Sequence, residues 1–183
     1  IAGTAKGKHL KLVPGDSTRP VMDKVKEALF SILAHDITDT SFLDLFGGTG
    51  AVGIEALSRG AAQALFVERN KLAYDTIMNN LKTTRLQEQA DVQLIDAFEL
   101  LQRKPNKPYD YIYIAPPQYD GLWLDTMRTL DENPAWLAPN TIVIVQIDPM
   151  EQEDALFRHM RDYDLRRYGN TILWFFETMV EAE

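Results

Sequence analysis

The sequence predicts a doubly wound α/β fold, and three observations predict it. From residue 41 onward, apolar runs rich in β-branched and aromatic residues alternate with segments of helical period. The first of these runs leads straight into a glycine cluster. The alternation then stops at two β-prone runs joined by Gly169-Asn170, too close in sequence for a crossover helix. Nearly continuous apolar strands separated by helices mean a parallel sheet covered on both faces. The closing pair adds an antiparallel C-terminal hairpin to an otherwise parallel sheet.

In chain order, residues 1–18 mix lysine, glycine and β-formers, with Leu10 and Leu12 alternating against polar neighbours ahead of Pro14-Gly15. This predicts a basic N-terminal appendage built as a short strand or hairpin. Residues 19–35 form an N-terminal helix: Arg19-Pro20 opens it, and Val21, Val25, Leu29 and Ile32, with Ala28 and Leu33, recur at helical spacing through Ala34. Asp23 and Glu27 occupy its early turns, where the helix dipole favours acids. The core, 41–183, takes strands at 41–46, 63–68, 91–95, 109–114 and 141–147 and helices near 51–59, 70–83, 97–103, 121–131 and 151–161. Runs 164–168 and 171–177 form the hairpin. No repeat or linker interrupts the chain, so 1–183 reads as a single domain.

Composition narrows the function classes. At 183 residues and 45% hydrophobic, the chain can bury a full core. It has no cysteine, which removes disulfides, thiolate metal sites and a cysteine nucleophile, and fits a reducing, cytoplasmic setting. No apolar run approaches the roughly 20 residues needed to span a bilayer. The net charge of −8 argues against a protein that coats nucleic acid non-specifically. Charge is unevenly placed, however: residues 1–30 hold six cations (Lys6, Lys8, Lys11, Arg19, Lys24, Lys26) against three acids (Asp16, Asp23, Glu27). A basic end on an acidic body suits a local polyanion contact.

The chemistry-bearing stretch is Phe42-Leu43-Asp44-Leu45-Phe46-Gly47-Gly48-Thr49-Gly50-Ala51-Val52-Gly53. It reads as strand, tight turn and helix, a floor where backbone approaches a ligand and a helix start offers unpaired N–H groups. Gly48 to Gly53 satisfies G-x-G-x-x-G, and Glu68 follows 20 residues on at the end of the next strand, placed for ribose hydroxyls. A nicotinamide or flavin dinucleotide therefore fits the glycines. Asp44 points elsewhere, because an acid inside an apolar strand repels a pyrophosphate and suits a cofactor carrying an ammonium or sulfonium. Asp96 ends the third strand, as an N-cap for the helix at Ala97, as an acceptor for an adenine amino group, or as both. The fourth strand exits through Ala115-Pro116-Pro117-Gln118-Tyr119, where two prolines stiffen the chain and leave carbonyls that only accept. Such an exit at a strand's carboxyl end invites an N–H donor. His9, His35 and His159 are scattered without ligand spacing, so no metal site is expected. No nucleophile elbow or phosphate-binding Gly-Lys-Ser/Thr loop occurs, and Trp123 and Trp136 read as core or substrate-edge aromatics.

Asp44-Leu45-Phe46-Gly47-Gly48-Thr49-Gly50, with Glu68, Asp96-Ala97 and a Pro-Pro exit after strand four, resembles the class I S-adenosylmethionine-dependent methyltransferases. More narrowly, Gly3 to Leu12, then Arg19-Pro20-Val21-Met22-Asp23 through Phe30, then Gly53-Ile54-Glu55-Ala56-Leu57-Ser58-Arg59-Gly60-Ala61, resembles the RsmD family over nearly the whole chain. The resemblance implies methylation of the exocyclic N2 of a guanine in small-subunit ribosomal RNA, S-adenosyl-L-methionine as cofactor, a Rossmann-like sheet and a monomer acting on a subunit particle. It implies that Asp44 lies near the cofactor's ammonium, that Phe46, Gly47, Gly48, Thr49 and Gly50 line its methionine part, that Glu68 beside Arg69 holds the ribose and that Asp96 with Ala97 takes the adenine. Helix 20–34 would cover the cofactor, and Lys6, Lys8, Lys11 and Arg19 would touch RNA phosphates. Ala115, Pro116, Pro117, Gln118 and Tyr119 would hold the target base. The family's pattern there is Asp or Asn, Pro, Pro, then Phe or Tyr; here Ala115 replaces the acceptor and Gln118 precedes Tyr119. That departure leaves a cofactor- and RNA-binding module of impaired turnover as an alternative, alongside methylation of adenine N6 or of a protein amide.

Overall fold

A computed structural model of the chain describes residues 1–15, 23–118 and 120–179. They form two compact units, 1–96 and 97–183. The first unit opens on an extended arm with a 3-10 turn at Gly3–Ala5, followed by helix α1 (Asp23–Leu33), a 3-10 turn Ala34–Ile37, strand β1 (Ser41–Asp44), helix α2 (Ala51–Ser58), strand β2 (Gln63–Glu68), helix α3 (Lys71–Thr84) and, after a 3-10 turn, strand β3 (Ala90–Leu94). β1 pairs with β2 and β2 with β3, all parallel. Every residue of β1 is buried, as expected of a parallel strand covered on both faces. α2 is buried from Val52 to Ser58 and packs on β1 and β2. α3 is amphipathic: Ala73, Ile77, Asn80, Leu81 and Thr84 share its buried face. The Asn70 side chain caps α3 by accepting the Ala73 amide at 3.1 Å.

The second unit comprises helix α4 (Ala97–Leu101), strand β4 (Tyr109–Ile114), helix α5 (Leu122–Glu132), a 3-10 turn Pro134–Trp136, strand β5 (Leu137–Ile147), a 3-10 turn Pro149–Glu151 and strands β6 (Met160–Tyr168) and β7 (Thr171–Thr178). β4 and β5 are parallel, β7 runs antiparallel to β5, and β6 antiparallel to β7. Seven strands, parallel except for the closing pair, make the α/β fold that the alternation predicts. Trp123 and Trp136 are both buried. The Trp136 indole N–H donates to the carbonyls of Leu101 and Arg103, each at 3.1 Å, and its ring stacks on Tyr109.

The structure corrects the sequence reading in several places. Residues 1–15 contain no strand, so the expected strand or hairpin is absent; the arm's polar backbone is satisfied by side chains of α2 and α3 instead. The start of the N-terminal helix at Arg19-Pro20 lies outside the described residues. β5 begins at Leu137 rather than 141, because the β4–β5 register shifts between Tyr109 and Tyr111. The Thr141 hydroxyl bridges that shift, accepting from the Ala138 amide and donating to the Tyr109 carbonyl.

The predicted helix at 151–161 does not form. After the turn at Pro149–Glu151 the chain is irregular until β6 starts at Met160, four residues earlier than expected. The Asp131 carboxylate accepts the amides of Arg158 and His159, both at 2.8 Å, taking donors that a helix would use.

Candidate functional site

The turn after β1 is shaped by contacts that exclude side chains. Gly50 caps α2 at φ 82°, a left-handed conformation that glycine adopts without strain. At Gly47 a Cβ would lie 2.8 Å from the Ile77 side chain, and at Gly53 it would lie 2.3 Å from the Phe66 ring. The glycines thus let the turn sit against α3 and let α2 sit against β2. Within the turn, Gly47 N–H donates to the Val67 carbonyl at 2.8 Å, Gly50 N–H to the Gly47 carbonyl at 2.8 Å and Ala51 N–H to the Thr49 hydroxyl at 3.3 Å. Gly48 N–H donates to the Glu68 carboxylate at 2.9 Å.

These bonds revise one expectation. Four donors of the turn and the start of α2, from Gly47, Gly48, Gly50 and Ala51, are already paired inside the protein, so they do not form the open cradle that binds a pyrophosphate. What the turn offers is negative charge. Asp44, only 1% exposed, ends β1 with its Oδ1 lacking any partner. Burial pushes its carboxyl up from 3.8 to about 7; the Phe46 amide opposes the rise, nearby Glu68 adds to it, and the Gly53 amide opposes it. A buried carboxyl with one oxygen left unpaired is costly unless a ligand completes it. Glu68 holds Gly48 through one oxygen and the Asn70 amide, at 3.0 Å, through the other. A carboxylate so fixed keeps lone pairs free for hydroxyl donors. The arrangement suits a ligand with a cationic group near Asp44 and hydroxyls near Glu68.

The other predicted residues are placed as follows. Phe46 is half-buried and Thr49 buried, its carbonyl accepting from the Asn80 amide at 2.9 Å. Asp96, half-buried, lies 3.9 Å from the exposed Arg69 guanidinium, a pair too solvated to contribute much. Ala97 begins α4 and is buried. Lys6, Lys8 and Lys11 are exposed along the arm. In the second unit, Ala115 and Pro116 leave β4 half-buried, while Pro117 and Gln118 are exposed. Tyr119 and Arg19 lie outside the described residues.

Sequence reasoning missed the residues that hold the arm. Ser58 accepts the Ala5 amide at 2.9 Å and donates to the Ala2 carbonyl, while Glu55 accepts the Ala2 amide at 3.4 Å and pairs with Arg59 at 3.2 Å. Arg59 in turn lies over the Phe30 ring of α1. The sequence signal was available: Glu55 is an acid in an otherwise apolar helix. Asn80 carries no such signal, since an asparagine on a polar-looking helix reads as solvated.

The chain matches the family model described as Conserved hypothetical protein 95 over residues 1–177. It is similar to YlbH of Bacillus subtilis, 37% identical over 150 residues that cover 81% of each chain, and to the ribosomal RNA small subunit methyltransferase D of Haemophilus influenzae, 35% identical over 81% of this chain and 77% of that one. Among solved structures, yhhF from Escherichia coli superposes with a TM-score of 0.86 at 30% identity, covering 97% of this chain and 96% of the other. A match that runs from the arm into β7, at these identities and to relatives of similar length, assigns the chain to the Conserved hypothetical protein 95 family, that of the RsmD methyltransferases.

Proposed function

We propose that this protein is an S-adenosylmethionine-dependent methyltransferase acting on the exocyclic N2 of a guanine in small-subunit ribosomal RNA. The observation that carries the reading is the buried Asp44 carboxyl, one of whose oxygens has no partner, beside a glycine turn in which four amides are internally paired, which fits an ammonium- or sulfonium-bearing cofactor and disfavours a dinucleotide. In this reading Asp44 takes the cofactor's ammonium, Phe46 and Gly47 to Gly50 line its methionine part, Glu68 and Arg69 orient the ribose, and Asp96 with Ala97 accepts the adenine. When bound, the cofactor supplies an electrophilic sulfonium methyl. The loop Ala115 to Tyr119 receives the target base, presented single-stranded or flipped, with the Pro116 carbonyl accepting from the amine and Tyr119 stacking. Positioning dominates such a transfer, so the chain's contribution would be to hold the amine, through the Pro116 carbonyl and the Tyr119 ring, in line with the donor methyl, with the displaced amine proton released to solvent.

The whole chain, 1–183, acts as one methyltransferase domain, a cytoplasmic monomer whose substrate is ribosomal RNA within a small-subunit particle. Support comes from relatives named as ribosomal RNA small subunit methyltransferases. No described helix is long and apolar enough to cross a membrane, and among the described residues no His, Cys, Asp and Glu cluster of metal-binding size occurs. The test is transfer of labelled methyl to unmodified small subunits, with mass spectrometry of the digested RNA. N2-methylguanine is the expected product; N6-methyladenine or a modified protein amide would redirect the assignment.

Ala115 favours a second reading, a binding module with lost turnover, because its methyl group accepts no hydrogen bond from the amine. Running Ala115→Asp alongside separates the two. The enzyme reading expects the native chain to turn over and the variant to be faster; a native chain that binds cofactor without transferring methyl, and a variant that transfers it, establishes the module.

A further inference from the structure

The basic arm and the cofactor turn meet at one side chain. Asn80 lies on the inner face of α3 and is fully buried. Its Oδ1 accepts the Lys11 amide at 2.7 Å, while its Nδ2 donates to the Lys11 carbonyl at 3.0 Å and to the Thr49 carbonyl at 2.9 Å. One carboxamide therefore pairs both backbone groups of Lys11, as a neighbouring strand does, and spends its remaining donor on the turn between Gly48 and Gly50. One helical turn earlier on the same face, Ile77 supports Gly47 and Gly50. At its other end the arm is pinned by Ser58 through Ala2 and Ala5. Lys6, Lys8 and Lys11 are thus strung as exposed cations between two buried clamps, and the second clamp belongs to the cofactor floor.

We infer that Asn80 is a positioning residue that couples the two ligands: closure of the glycine turn on the cofactor fixes the path of Lys11, and anchoring of the arm by RNA phosphates fixes Thr49. The reason is geometric. The carboxamide is planar and fully buried, with its bond to Thr49 buried and its two bonds to Lys11 part-buried, so a displacement of Thr49 is transmitted to Lys11 or leaves a polar group of the buried carboxamide unpaired. Coupling of this kind is reciprocal, so cofactor and RNA tighten one another's binding by the same factor. The inference rests on the proposed function for its choice of ligands, the methyl-donor class at the turn and an RNA polyanion on the arm.

The test uses the full chain with S-adenosylhomocysteine as probe and hydrogen exchange read at the arm. Saturating probe is expected to slow exchange of the Lys11 amide about fivefold or more, within the usual range for coupled sites, and RNA is expected to tighten probe binding by a similar factor. In Asn80→Leu, which keeps the number and branching of side-chain heavy atoms and removes all three bonds, both effects vanish at saturating probe, while the amides of β2 keep their native protection. That protection separates lost coupling from lost folding, and the native chain alone decides the matter if the variant fails to fold. Probe binding without any change at Lys11 overturns the coupling and leaves the cofactor reading standing. Absence of probe binding in the native chain overturns both.

Discussion

Asp44 concentrates the chemistry of the turn in one side chain, and its protonation can be followed. The folded carboxyl titrates at about 7 against 3.8 when unperturbed, so between those values the folded state holds a proton that the unfolded state has released. Stability contributed by this group is therefore present in acid, falls as pH rises from about 4 to about 7, and is constant above; the ionised form costs on the order of 4 kcal/mol. A cationic ligand reverses the preference, because it favours the carboxylate. Affinity for S-adenosylhomocysteine should therefore fall toward tenfold per pH unit below about 7. Asp44→Asn should flatten that profile, weaken binding at pH 8 by about tenfold or more, and raise the melting temperature of the ligand-free protein at the same pH. Calorimetric titration between pH 5.5 and 8.5, with thermal melts at each pH, reads both effects. A binding profile that stays level in the native chain would remove Asp44 from the ligand's charge recognition. The acid was visible in the sequence because an apolar strand framed it. The internal pairing of the amides around it was not, since Glu68 reaches Gly48 only after β1 and β2 are laid side by side.

At the scale of elements, the local pattern predicted segments well wherever burial and period agree. β2 and β4 occupy the expected residues, and α2, α3 and α5 differ by one residue at their ends. The failures occur where a distant side chain takes over the backbone. Residues 151–161 carry apolar residues at Ala155, Leu156, Phe157 and Met160, but no helical face buries them together. Leu156 is 101% exposed, Phe157 packs edge-on against Phe176, and Asp131 holds the next two amides. The arm fails in the same way: alternation of Leu10 and Leu12 suggests a strand, yet Lys11 pairs with an asparagine side chain and Leu12 faces solvent. Ser58 tests this view of the arm. Ser58→Ala removes the acceptor of the buried Ala5 amide, a local loss of about 1–3 kcal/mol, and frees residues 2–5. Tryptic cleavage after Lys6 and Lys8 should accelerate several-fold while cleavage within α3 is unchanged. Equal cleavage rates in variant and native chain would mean that the arm is held by something other than this clamp.

For the molecule as a whole, charge decides how RNA is approached. The chain carries a net −8, which repels a polyanion at long range, so affinity must come from a local cationic track and from the shape of the substrate. Two of the chain's cation sets lie on defined elements and can be compared for that role. Along β6, Arg161 is paired with Glu177 at 2.8 Å and Arg166 with Asp164 at 3.0 Å, so these two cations are neutralised, while Arg167 donates to the Gly169 carbonyl at 2.9 Å and keeps its charge. On the arm, by contrast, Lys6, Lys8 and Lys11 are exposed, and among the described residues none of them enters an ion pair. In the proposed reading the arm is the source of counterion release. For a single-stranded target, each neutralised phosphate steepens the dependence of log affinity on log salt by about 0.7, so three lysines account for a slope of about −2. Replacing Lys6, Lys8 and Lys11 together with alanine should make the slope shallower by about that amount and weaken RNA binding most at low salt. Affinity for S-adenosylhomocysteine in the absence of RNA should be unchanged, because the bonds from Lys11 to Asn80 are made by backbone groups that alanine retains. A variant whose slope equals that of the native chain would transfer the phosphate contact to another surface, and a measurement on β6 charge-reversal variants would then show whether its arginines release their partners on binding.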